Sequence, residues 1–493
     1  MIFDNLPAIL IVLPLLGAPI CLLLGRPLLC WGLSLAITWA SFAVAVVLLL
    51  VVWNGEAIEY PLGGWPGPWG IVYFVDPANA FILFIVSGIS AILLPYTLKS
   101  VRLEVPENRQ HLFYSLYLLC QTGLMGIAIT GDAFNVFVFL EISSLSSYAL
   151  IALGNNRKAL TSAFTYLIMG TIGATFILIG IGLIYMMTGT LNMLDIHDRL
   201  QSVSDTGPVL EAFAFITVGV VLKLALFPLH LWMPNAYAYA PSAVSAFIAA
   251  TATKVSIYVL LRFIFTVFGG DLVFTVTPLN YVLMVPSIMA MFAGSLVAIF
   301  QTDIKRMLAY SSVAQIGYIV LGISLISASG ITASFLHIFN HALMKAALFA
   351  VMGCIFFRMS SVRLSDMAGI AREMPITFAC FLIGGLSLIG VPLTGGFISK
   401  FYLIKATLEL DLWWLSILIL MSSLLAIVYV WRIVEVMYFQ PAPEGRIPVT
   451  EAPLSMLIPT LVLAAANIYF GIETSLPTGI SKAAANGLLT GAW

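Results

Sequence analysis

The sequence predicts an all-α polytopic membrane protein with about 14 transmembrane helices. Three observations lead there. Of its 493 residues, 61% are hydrophobic and 9% charged, where a soluble chain carries about 25% charged residues. Apolar runs of about 20 residues, the length that crosses a bilayer as a helix, recur along the whole chain. Lysine and arginine gather in alternate loops between those runs.

The runs are 6–24, 31–53, 77–98, 112–130, 133–153, 163–188, 210–229, 242–267, 279–301, 307–326, 331–357, 375–408, 412–431 and 454–472. The first has no basic start and no convincing cleavage site, so it reads as span 1 rather than a signal peptide. The loop after span 2 holds Glu56 and Glu59 and no basic residue, and its Gly64–Gly70 stretch, GWPGPWG, predicts tight turns. Thirteen basic residues fall on one side: Arg26, Lys99, Arg102, Arg109, Arg157, Lys158, Lys305, Arg306, Arg358, Arg363, Arg372, Arg432 and Arg446. Arg199, Lys482 and Arg262 fall on the other. This asymmetry puts the basic loops in the cytoplasm and both termini outside a bacterial or archaeal cytoplasmic membrane.

Span 12 is too long for one straight helix, and Gly390-Val-Pro-Leu-Thr-Gly-Gly396 sits in its middle. Span 7 ends in Phe227-Pro-Leu-His-Leu-Trp-Met-Pro234. Both should break, and a broken helix is tolerated only against protein or water. Spans 4–8 and 9–13 form two five-helix units. Five is odd, so the second unit enters from the opposite side as an inverted repeat, a plan that points to a transport site. Span 7 then corresponds to span 12, and Lys223 to Lys400. The chain divides into 1–110 (helices 1–3), 111–267 (first repeat), 268–438 (second repeat) and 439–493 (helix 14 and tail).

Five ionisable residues stand inside spanning runs: Glu141, Lys223, Lys254, Lys345 and Lys400. Each would cost about 2.5–3.5 kcal/mol at the bilayer centre. They must be paired, wetted or turned inward, and such residues mark ion or proton paths. Each has a plainer reading. Glu141 could sit at a helix end, though its depth opposes that. Lys223, its natural partner, could snorkel toward the cytoplasm. Lys254 could be a structural lysine held by carbonyls, and Lys400 a cap on the broken helix. His337, His341 and Lys345 fall at i, i+4 and i+8 on one face of span 11. That stripe suits a relay or water wire better than a metal site, since no third Cys or acidic ligand is near. His230 reads as a proton-intake group or as a turn histidine. Ser311, Ser312 and Gln315 in span 10 could order water or pack helices.

A net charge of -1 argues against nucleic acid. The five cysteines show no CxxC or Cys/His cluster, which argues against metal and iron–sulfur cofactors. No P-loop or GxGxxG site marks an ATPase or dehydrogenase.

Six stretches carry a family likeness: FVFLEISSLSSYALI, KLALFPLHLWMPNAYAYAPSAVSA, ATATKVSIY, DIKRMLAYSSVAQIGYI, HALMKAALF and GVPLTGGFISKF. Together they resemble the antiporter-like subunits shared by respiratory complex I, membrane-bound hydrogenases and Mrp-type cation/proton antiporters. The likeness runs from span 3 to span 13. Within that group the chain is most similar to the D-type Mrp subunit. It ends soon after span 14 with no long lateral helix or added domain, it has lysine at position 400 where one complex I homologue has glutamate, and it carries GWPGPWGI before Val75-Asp76. The resemblance implies a proton-translocating subunit of a multi-subunit monovalent cation (Na+)/H+ antiporter, not an enzyme itself, with a complex I-type or hydrogenase subunit as the alternative. It implies Glu141–Lys223 as a switching pair, Lys254 as a bridge, His337, His341 and Lys345 as the link and Lys400 as the terminal site. A carboxylate close to a buried lysine holds its proton, and a carboxylate that turns away lets it go. Partner subunits, protons, the cation and lipid complete the implied set.

Overall fold

The computed structural model describes residues 3–54, 57–203 and 207–491, so Glu56 lies outside the described residues. Among these, 13 helices are long and apolar enough to cross a membrane. The remaining span is the one predicted to break, and it is split into two shorter helices, Pro375–Ile389 (12a) and Gly395–Glu409 (12b). Span 7 is likewise divided into Gly207–Leu224 (7a) and Met233–Tyr239 (7b). The chain is therefore a polytopic helical membrane protein with broken spans 7 and 12.

Polar residues at the membrane edges start the spans. Asp76, Asp132 and Asp303 cap spans 3 (Pro77–Glu104), 5 (Ala133–Ala152) and 10 (Ile304–Ser324), each accepting from a backbone N–H of the first turn. The loop between spans 2 and 3 is not wholly irregular. Ile58–Pro61 (β1) pairs antiparallel with Val72–Val75 (β2), with Ile58 opposite Val75. GWPGPWG supplies the turns between the strands, as predicted. Three further short helices have no counterpart among the predicted spans, one of them Gly270–Val276 between spans 8 and 9. Met193–Leu200 follows span 6 (Arg157–Thr188), and Ser475–Thr490 follows span 14 (Leu454–Ile472). All three are shorter than a bilayer crossing, so a search for apolar runs passes over them.

The two five-helix units carry matching marks. Spans 6 and 11 (Ala328–Met359) are both 32 residues long. Asp132, before span 5, forms a β-bridge with Asn192 after span 6. Asp303, before span 10, forms the same bridge with Arg363 after span 11, across the same interval of sequence. Even the hydrogen bonds correspond: Ala133 N to Leu191 O and Met193 N to Gly131 O in one unit, Ile304 N to Val362 O and Leu364 N to Thr302 O in the other. Five crossings separate the two bridges, so they lie at opposite ends of the bundle.

Burial is uneven and decides where the chemistry sits. Spans 8 (Ser242–Leu261, continued by a π-helical turn at Arg262–Val267) and 10 are 94% buried over their apolar windows. Spans 1, 2, 6 and 13 are 39% buried. Spans 8, 10 and 11 form the middle of the bundle, and Lys254, His337, His341 and Lys345 project from spans 8 and 11. Arg262, placed by the sequence among outer-loop residues, is instead buried in that π-turn and ion-paired with Asp76, while its Nε donates to Tyr258 Oη at 2.7 Å. Only the fold, by bringing Asp76 beside it, stabilises the arginine at that depth.

Candidate functional site

The site starts on span 5. Lys223, in the last turn of 7a, lies 3.6 Å from Glu141 Oε1 and donates to Ser144 Oγ at 2.8 Å. The expected pair is thus formed. The lysine side chain is 4% exposed and the glutamate 25%. Glu141 shares its helix face with Phe134, Val138 and Leu145, all exposed apolar residues. Seen from the membrane, the carboxylate half of the pair opens on a lateral apolar stripe.

Span 7 breaks directly after Lys223. The carbonyl of Leu222 accepts from Ala225 N at 3.2 Å and from Trp232 Nε1 at 3.1 Å, and the Trp232 ring stacks on Tyr166 at 3.9 Å. The break is satisfied by protein, as irregular backbone at this depth requires. His230 lies within it, buried, its ring against Phe227 and edge-on to Tyr310 of span 10. Its Nδ1 has no hydrogen-bond partner among the described residues.

Between Lys223 and span 8 is a cavity of about 20 Å³, lined by Ser143, Ser144, Ser147 and Ser256 among others. A cavity of this size has room for one water, and the four serines and Lys223 offer it polar partners. Beyond it Lys254 is fully buried. Its Nζ donates to Ala249 O at 2.5 Å and reaches Thr253 Oγ1 at 3.4 Å. The plain reading of Lys254, a lysine held by a carbonyl, is therefore correct as geometry, and no carboxylate accompanies it among the described residues.

His337, His341 and Lys345 of span 11 are all buried. Lys345 Nζ donates to Leu308 O at 2.8 Å and Ser311 Oγ at 2.6 Å, both on span 10. His341 is fully buried with neither ring nitrogen hydrogen-bonded within the described residues. It stacks on His337 at 6.0 Å. His337 is held on both sides: Nε2 lies 2.9 Å from Gln315 Oε1 and Nδ1 lies 2.8 Å from Ser399 Oγ, the neighbour of Lys400. Of the span 10 candidates, Ser311 and Gln315 face this line. Ser312 donates to Leu308 O of its own helix at 3.1 Å, as Ser311 also does at 2.8 Å.

Lys400 turns back across the break in span 12. Its Nζ donates to Leu388 O at 3.1 Å, Ile389 O at 2.9 Å and Ser423 Oγ at 3.0 Å, and it sits 4.7 Å from the centre of the Tyr318 ring. It therefore caps 12a. The expected equivalence with Lys223 needs correction. Lys223 precedes its break and Lys400 follows its own, so the two lysines stand on opposite arms of corresponding helices.

Ser144, Tyr318, Ser399 and Ser423 all contact the line and were not singled out from sequence. Serine and tyrosine are common and neutral in spans, so neither charge nor spacing marks them. Among the described residues no three of His, Cys, Asp and Glu come together as metal ligands would.

A bundle of broken helices with ionisable groups threaded through its middle defines an ion-handling membrane protein. Similarity to known proteins gives the family. Residues 130–426 match the model described as "NADH:quinone oxidoreductase/Mrp antiporter, TM". The chain is 41% identical to the NADH-quinone oxidoreductase subunit N of Desulforudis audaxviator (strain MP104C) over 95% of its own length and 96% of that protein's. It is 32% identical to the D subunit of the Na(+)/H(+) antiporter of Alkalihalophilus pseudofirmus, over 74% of this chain and 72% of the other. Its fold superposes on a chain of the Mrp complex from Dietzia sp. DQ12-45-1b with a TM-score of 0.90, at 25% identity, covering 99% of this chain and 98% of that one. The chain belongs to the NADH:quinone oxidoreductase/Mrp antiporter transmembrane family.

Proposed function

We propose that this chain carries protons along the buried line Glu141–Lys223–Lys254–Lys345–His341–His337–Lys400. The observation that carries this reading is His341, fully buried, unpaired at both nitrogens among the described residues and set between lysines that have no carboxylate there. Buried polar nitrogens demand partners, and water is the partner that fits. A wetted histidine between Lys345 and His337 passes protons in either direction. Glu141 and Lys223 act as the switch: the lysine keeps its proton while the carboxylate is close and releases it when the carboxylate turns away. Lys254 bridges the repeats, Lys400 is the terminal site, and His230 and Ser311 with Gln315 serve intake and water ordering.

The chain works as one subunit of a larger membrane complex in a bacterial or archaeal cytoplasmic membrane, with both termini outside. Glu141 supports this, since a carboxylate on a lipid-facing stripe would cost about 2.5 kcal/mol or more and a neighbouring subunit removes that cost. We assign the complex to the monovalent cation (Na+)/H+ antiporters, on the antiporter relatives and the Mrp neighbour. The 41% identity to a quinone oxidoreductase subunit favours a second reading, a proton-pumping subunit of a redox complex.

The test uses everted vesicles containing the whole complex. Glu141→Ala and Lys400→Ala should abolish proton movement while assembly stays normal. Normal proton movement in both would reject the line. Driving the vesicles with a sodium gradient or with a reduced electron donor separates the two complexes.

A further inference from the structure

The five charges considered so far do not exhaust the buried ionisable groups. Glu104, at the end of span 3, is 9% exposed, and Lys305, in the first turn of span 10, is 3% exposed. Neither belongs to the line described above. Ser242, the first residue of span 8, joins them. Glu104 Oε2 accepts from Ser242 N at 2.9 Å and from Ser242 Oγ at 3.0 Å, and Lys305 Nζ donates to the same Ser242 Oγ at 2.8 Å. Ser100 Oγ donates to the other carboxylate oxygen at 2.8 Å.

Glu104 and Lys305 line a cavity of about 270 Å³ that opens at the basic face, with Leu103, Tyr239, Asp303 and Phe356 among its walls. A second cavity of about 390 Å³ adjoins it, sharing Tyr239, Asp303 and Phe356 and adding Lys158, Arg306 and Arg363. Water therefore reaches the carboxylate from this face. The charged groups around Glu104 are Lys305 and, across the cavity, Asp303. On its own helix Tyr96 donates to Ala350 O at 3.1 Å. Lys305 stands one helical turn from Leu308 and two from Ser311, the two groups that hold Lys345. The axial rise from Lys305 to Ser311 is about 9 Å at about 1.5 Å per residue.

We propose that Glu104 is the carboxylate that collects protons from the basic face for the second repeat and delivers them through Ser242 to Lys305, and so to Lys345. The inference rests on the proton-carrying reading of Lys345. In the step, Lys305 gives one proton toward Lys345 by water and becomes a neutral amine. Glu104, protonated from the cavity, hands its proton to Ser242 Oγ as that hydroxyl passes its own to the Lys305 amine. The carboxylate is left charged and takes the next proton from cavity water. The second repeat thus has its own carboxylate–lysine intake, separate from Glu141–Lys223.

The test is proton uptake by the assembled complex in everted vesicles, with and without a small weak acid such as formate. Glu104→Ala should slow uptake at least ~100-fold, the low end of the usual range for losing a positioned proton-transfer group. Formate should restore it, and Glu104→Asp should stay near the native rate. Restoration is the readout that a purely structural role would not give. An assembled Glu104→Ala complex with native uptake, or a slow one that formate leaves unchanged, overturns the inference. Lys345→Met and Glu141→Ala in the same membranes separate the failures. If these also keep native uptake, the line itself is wrong. If they lose it while Glu104→Ala keeps it, only the intake assignment is wrong.

Discussion

Lys400 and Leu388 meet across the break of span 12, the ammonium of the second arm donating to a carbonyl freed at the end of the first. One contact does two jobs. The carbonyls left without intrahelical partners gain a cation at the negative end of a helix, a favourable position for it. The lysine in turn is held at the membrane centre without a carboxylate. The same residue caps the fold and ends the proposed proton line, so its structural and functional readings are not rivals.

Gly390 makes that contact possible, and its replacement should show it. Its φ is +92°, and a Cβ there would fall 2.9 Å from Lys400 Cδ. Gly390→Ala should cost roughly 1–2 kcal/mol for the left-handed conformation alone, and displace the lysine as well. Thermal unfolding in mild detergent should show the loss. Proton movement should drop further than in an alanine variant of Gly182, which has open space around it.

Removing the carboxylate of the switching pair leaves Lys223 with Ser144 as its hydrogen-bond acceptor. Breaking a buried pair costs about 3–5 kcal/mol, and the 25% exposure of Glu141 puts the expected cost toward or below the low end. Glu141→Gln should therefore fold and assemble while losing proton movement. A double variant with Lys223→Met should be more stable than Glu141→Gln alone, since it removes the orphaned charge. Equal stability of the two would show that the pair is not electrostatically coupled.

His337 depends on Gln315 for one ring nitrogen. Gln315→Leu leaves that nitrogen buried and unpaired, at a cost of about 1–3 kcal/mol. Proton movement should fall with it, and Gln315→Glu should retain more of both. Ser312→Ala, which removes a hydroxyl bonded within its own helix, should change neither by much.

The loop between spans 13 and 14 is strapped to the loop between spans 11 and 12. Arg446 Nη2 donates to Glu373 Oε1 at 2.6 Å and Val449 N donates to Glu373 Oε2 at 2.9 Å. Burial pushes the Glu373 carboxyl up, but the Val449 N–H and the Arg446 guanidinium outweigh it and hold it below its ordinary value. A depressed carboxylate contributes stability above its unfolded pKa, near 4.3, and loses it as pH falls through the folded value. Protection of residues 440–453 against hydrogen exchange, taken relative to the intrinsic rate at each pH, should thus be flat at neutral pH and fall below about pH 4. Glu373→Gln should lower that protection at neutral pH and match the native protein once pH falls below the folded pKa.

Much of the fold was legible in the sequence for a single physical reason. Lipid offers the backbone no hydrogen bonds, so length and apolarity fix where helices cross, and proline with glycine fixes where they break. Spans 7 and 12 are located this way. The ionisable residues of the site are legible too, because charge is costly in a bilayer and stands out against apolar runs. Glu104 and Lys305 stand at span ends, where charge is ordinary, so nothing in the sequence marks them as buried. The short helices Met193–Leu200 and Ser475–Thr490 leave no signal of this kind because neither crosses the membrane.

The sequence by itself determined how many times the chain crosses, which spans break, and which charges must be accounted for. Only the tertiary structure decided which groups account for them. It paired Lys223 with Glu141 and Arg262 with Asp76, gave Lys254 and Lys400 backbone carbonyls, and set His337 between Gln315 and Ser399. It also placed Lys223 and Lys400 on opposite arms of their broken helices. The reason is that crossing a bilayer is a property of one segment and its solvent, whereas a buried charge is stabilised by whichever groups the packing of several segments brings within hydrogen-bond reach.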